Sequence, residues 1–151
     1  MSDLLEKTEY VESLINKELG EQFDLVRAQL YSVIEEGEGV SMTLAGEGGD
    51  VYELLEREDT AFVAKVSDYM VVLTCGWASP IAKDDDEAEA VAPSQHPQRR
   101  RVRLVIMANR QGFASVMRFG DDADNTVTDD GQARGSLADA LNELFVVADA
   151  L

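Results

Sequence analysis

The side chains able to do chemistry are one thiol, one imidazole and a run of arginines. Cys75-Gly76-Trp77 follows the apolar segment Tyr69 to Thr74, a position that presents a thiol at the end of a strand. Such a thiol becomes a nucleophile only where cationic neighbours depress its pKa. His96 is the sole candidate for a general base near neutral pH, set between Pro93 and Pro97. Arg99, Arg101 and Arg103 alternate, so they project from one face of a strand, with Arg118 opposite on the next one. Planar guanidinium groups suit bidentate contact with carboxylate or phosphate.

None of these assembles into a recognised catalytic pattern. Cys75-Gly76-Trp77 shares part of the papain-type signature, Cys-Gly-Ser/Ala-Cys-Trp/Tyr, but lacks its second cysteine. That family places its histidine far downstream, whereas His96 lies only 21 residues on. The segment therefore reads as a buried thiol and a core tryptophan at a strand terminus. His96 reads as a solvated loop residue, and no Gly-x-Ser-x-Gly elbow accompanies it. The acidic stretch from Asp121 to Gly131 fails as a calcium loop: counted from Asp122, position six is Val127 and position twelve is Ala133. Gly46-Glu47-Gly48-Gly49 has no following lysine to hold a phosphate. One cysteine and one histidine cannot build a structural zinc site. The sequence thus assigns no catalytic residue, metal or cofactor, and leans away from an enzyme.

Charge is the more informative signal. The 151-residue chain carries a formal charge of −17, yet residues 99–118 hold six arginines and no acid. An acidic surface repels nucleic acid and anionic membranes, so neither is an expected partner. No apolar run approaches the roughly 20 residues of a membrane-spanning helix. The opening Met1-Ser2-Asp3-Leu4-Leu5-Glu6 predicts no secretory signal. A cytoplasmic protein of one domain, 1–151, is the expectation.

The elements that must position these groups follow from periodicity. Leu4, Thr8, Val11, Ile15 and Leu19 share a helical face ended by Gly20. Phe23, Val26, Leu30 and Ile34 form a second stripe ended by Gly37, which predicts an N-terminal helical pair. Val40, Met42 and Leu44 alternate as a strand, residues 45–49 read as a loop, and Asp50 caps a short helix to about Arg57. Residues 60–66 fit either helix or strand. Residues 78–98, holding all three prolines and Asp84-Asp85-Asp86-Glu87, read as a flexible loop. Residues 101–108 and 113–119 form a hairpin about Asn109-Arg110-Gln111-Gly112. A polar loop covers 120–135, and a last helix starts at Ser136. The fold class is α+β: a small, mainly antiparallel sheet of three or four strands, with the N-terminal helical pair and the C-terminal helix packed on one side.

The arginines have three readings. They neutralise acids of the N-terminal helices or of loops 84–89 and 121–130, they form a docking strip for an acidic protein partner, or they bind a small anion. The leading expectation is a non-catalytic interaction or regulatory module, using Arg99, Arg101, Arg103, Arg118, Trp77 and His96 towards an acidic partner or a second copy. An alternative is a small enzyme or anion-binding domain with its site near Cys75, His96 and Arg99. A third is mimicry of DNA by the acidic surface, against which the basic strip argues.

Overall fold

A computed structural model describes residues 3–78, 95, 97–132 and 136–151. Helix α1 (Asp3–Leu19) forms where the apolar stripe requires it, burying Leu5, Thr8, Val11, Glu12 and Ile15. It stops at Gly20, whose φ of 57° is the left-handed conformation that ends helices. The chain then crosses residues 20–27 without regular structure.

The second predicted helix is instead strand β1 (Ala28–Glu36), paired with β2 (Gly39–Gly48). The reason is arithmetic. A spacing of four returns a side chain to the same face of a helix, and also of a strand after two pleats. Val26, Leu30 and Ile34 therefore satisfy both periods. Tyr31 and Val33, on the intervening positions, pack in the opposite core and decide for the strand. Gly37, at φ 61°, turns a hairpin and ends no helix. Strand β2 also runs through residues 45–48, expected to be a loop. Gly46 and Gly48 lie against Leu54 there, and a side chain at Gly46 would have to push it aside.

Asp50 caps α2 (Val51–Glu56), its carboxylate accepting from the Tyr52 and Glu53 backbone amides. Residues 58–65 resolve as helix α3 (Glu58–Lys65). Strands β3 (Tyr69–Ala78), β4 (Arg100–Ala108) and β5 (Phe113–Phe119) follow, with Asn109 Oδ1 accepting the Gln111 and Gly112 amides in the β4–β5 turn. The stretch expected as a polar loop contains a further strand, β6 (Asp122–Asp129). Its composition gave no alternation because it pairs only with β5 and is largely exposed on both faces. Helix α4 (Ser136–Asp149) completes the described fold.

The α+β architecture is therefore larger than the sequence suggested. Six strands form one antiparallel sheet in the order β2-β1-β3-β4-β5-β6, with four helices among the described residues. The helices occupy both faces. On one, α1 packs Val11 and Ile15 on Val71, Leu73, Val105 and Met107. On the other, α2, α3 and α4 pack Leu55, Ala64, Leu141, Leu144 and Phe145 on Leu30, Met70, Val72 and Ile106. Central strands buried on both faces explain the continuous apolar run at 69–73. The loop expected at 78–98 lies outside the described residues except for Ala78, Gln95, Pro97 and Gln98. No described helix is long and apolar enough to cross a membrane.

Candidate functional site

The register of β3, β4 and β5 sets the site. Trp77 lies opposite Arg101, Cys75 opposite Arg103, and Arg103 opposite Arg118. All five share the face on which α1 packs, and α1 reaches Arg118 through Glu12 and Arg103 through Asn16. Like charges on directly opposed residues destabilise a sheet, so Arg103 and Arg118 each need compensation.

They receive it from α1, in different currencies. Arg118 turns to Glu12, donating Nε and Nη2 to the two carboxylate oxygens at 2.7 Å each, and donates Nη1 to the Ala123 carbonyl. The side chains are 12% and 2% exposed, so this is a buried bidentate pair. The bonds to Glu12 hold the Arg118 pKa above its ordinary value. Arg103 has no solvent exposure at all. Its Nη1 donates to the carbonyls of Gly20 (3.3 Å) and Gln22 (2.8 Å), and its Nη2 to Asn16 Oδ1. Phe23 lies 4.4 Å from the guanidinium carbon. Arg103 thus supplies donors to the carbonyls that follow α1, where a helix end favours a cation. Its Nε has no partner among the described residues, and burial lowers its pKa from the usual arginine value.

Two further arginines of the segment meet the chain's own carboxylates. Arg100 Nε and Nη2 bind Asp121, and its guanidinium sits 3.9 Å from the Phe119 ring centroid. That contact holds the Asp121 carboxyl below the usual carboxylate range. Arg110 Nε binds both Asp149 oxygens at 3.0 Å, while its Nη atoms donate to the carbonyls of Ala64, Lys65 and Ser67 at the end of α3.

Arg101 is different. It meets no carboxylate among the described residues; its guanidinium carbon lies 4.0 Å from the Trp77 ring centroid. Arg99, exposed, lies 4.7 Å from the same ring. Both distances are within cation–π range. Trp77 is half-buried, at the rim of the sheet and not within its core.

Cys75 is half-buried between these groups and the 20–27 segment. Burial pushes its thiol pKa up, against a hydrogen bond from the Leu25 backbone and the positive charges of Arg103 and Arg101. A nucleophilic thiol needs the opposite shift. His96 lies outside the described residues, so its expected place beside Cys75 and Arg99 is not part of this geometry. Among the described residues no group of three or more His, Cys, Asp or Glu side chains is disposed to hold a metal ion.

The structure therefore brings Trp77, Arg99 and Arg101 together and separates Arg103 and Arg118 from them by burial. Of the residues that hold Arg103, Asn16 and Gln22 carried no signal in the sequence, and Phe23 read there as part of a helical stripe. Glu12 was detectable only as a carboxylate interrupting the edge of the α1 apolar stripe. No family model matches this chain, and no curated protein or solved structure is significantly similar to it.

Proposed function

We propose that this chain is a non-catalytic interaction module that receives an acidic segment of a partner protein at Trp77 and Arg101. The single observation behind the reading is that Arg101 lies against the Trp77 ring and meets no carboxylate among the described residues. Arg100, Arg110 and Arg118 are paired with Asp121, Asp149 and Glu12, and Arg103 is enclosed. Stacking on Trp77 pre-orients the Arg101 guanidinium and leaves its N–H edge for an incoming carboxylate. Tryptophan and arginine are the residue types that dominate binding energy at interfaces. The remainder of the −17 chain repels an acidic ligand, but at physiological salt that field decays over about 8 Å. Local complementarity therefore decides, and binding weakens as salt rises.

Trp77 is the only tryptophan, so its fluorescence reports directly on the site. Titrating the full chain with a Glu/Asp-rich peptide is expected to change the emission saturably. Arg101→Glu should weaken that binding by about ten-fold or more, which is about 1.4 kcal/mol. Equal binding by wild type and Arg101→Glu, or no response of the wild type, overturns the reading.

A further inference from the structure

The two edges of the sheet are built differently. Strand β6 ends it on one side with Asp122, Asp124 and Asp129, carboxylates of the kind that keep an edge from pairing. Strand β2 ends it on the other, and residues 39–46, Gly-Val-Ser-Met-Thr-Leu-Ala-Gly, carry no charge and no proline. An open edge strand exposes a row of unpaired backbone N–H and C=O groups. In a chain of net charge −17, this uncharged stretch, bounded by Glu38 and Glu47, lets the middle of the edge meet a second copy with no like charges directly opposite one another.

The order of side chains along this edge points to that copy. Val40-Ser41-Met42-Thr43-Leu44 reads the same way chemically in both directions: apolar, hydroxyl, methionine, hydroxyl, apolar. Pairing with β1 places Val40, Met42 and Leu44 on the α1 face, opposite Glu35, Val33 and Tyr31. Val40 is 37% exposed and Leu44 51%. Leu14 of α1, also exposed, lines a cleft of about 140 Å³ with Met42 and Tyr31 beside them. A two-fold interface must be self-complementary, and this segment has that property.

We propose that β2 is the interface of a homodimer, pairing antiparallel with the partner's β2 about a two-fold axis at Met42, so that the two sheets run on as one. Val40 then faces the partner's Leu44, Met42 faces the partner's Met42, and Ser41 faces the partner's Thr43. The apolar row is buried beside α1, and the hydroxyl pairs lie on the other face. Such cross-strand pairs are the unit of sheet stabilisation. This interface is remote from Trp77 and Arg101 and stands or falls independently of the docking site.

The test is the mass of the full chain by sedimentation velocity at increasing concentration. Wild type is expected to be a dimer, held more firmly in high salt because screening reduces repulsion between two acidic chains. Leu44→Lys and Val40→Lys replace exposed side chains, and each should weaken dimerisation by at least about ten-fold. Val127→Lys, at an exposed position on β6, should leave it intact. Met42→Cys should form an intermolecular disulfide on oxidation, and Val127→Cys should not. A monomeric wild type at all concentrations, a dimer unaffected by both lysine variants, or no cross-link from Met42→Cys overturns the proposal. Capture of an unrelated strand by a monomeric chain counts among those overturning results.

Discussion

Removing the carboxylate of Glu12 is the sharpest perturbation of this fold. Glu12 is buried in α1, and Arg118 reaches it from β5 through two charge-assisted hydrogen bonds of 2.7 Å. In Glu12→Ala the Arg118 guanidinium keeps the Ala123 carbonyl but loses its counter-charge in a site that water barely reaches. Breaking one half of a buried pair costs about 3–5 kcal/mol, against roughly 0–1 for a pair on the surface. At roughly 2–4 °C per kcal/mol for a chain of this size, Tm should fall by about 6–20 °C. Urea unfolding followed by circular dichroism and by Trp77 emission measures the loss as a shift in midpoint at unchanged slope. The pair's net contribution is smaller than this cost, so Glu12→Leu/Arg118→Met should recover most of the stability. A loss below about 1 kcal/mol in Glu12→Ala refutes the reasoning, because it means that solvent reaches the pair and that α1 is not anchored to β5 through it.

Three other outcomes follow from the same row of residues. Arg103→Lys cannot reach Asn16, Gly20 and Gln22 together, and should lose about 1.5–3 kcal/mol with faster amide exchange in the last turn of α1; stability equal to wild type rules out the capping role. Cys75, its pKa raised by burial, should react with a disulfide reagent more slowly in the folded chain than in urea. Because the folded thiol holds its proton more tightly than the unfolded one, its contribution to stability is intact below about pH 9, the ordinary thiol value, and declines as pH rises towards the folded pKa. Cys75→Ala should flatten that alkaline limb; a limb identical in both proteins assigns it to other groups.

What the sequence determined by itself was local. The α1 stripe, the Asp50 cap, the 101–108 and 113–119 hairpin and the isolated basic segment all depend on neighbours within a turn or a pleat, and periodicity records those. Alternation placed Arg99, Arg101 and Arg103 on one strand face; the structure has Arg101 and Arg103 there, while Arg99 precedes β4. The tertiary structure decided what spacing leaves degenerate or remote. Leu30 and Ile34 suit a helix or a strand equally, and the partner strands on either side of β1 broke the tie. β6 has almost no pattern, since an edge strand is held by backbone bonds to β5 rather than by buried side chains. The fates of the arginines diverged for the same reason. Arg118 finds its carboxylate 106 residues away and Arg103 its carbonyls 81 and 83 away, whereas Arg101 meets Trp77 and no carboxylate among the described residues. Composition registers a charge but not its distance from another, and Coulomb energy depends on that distance and on the water between.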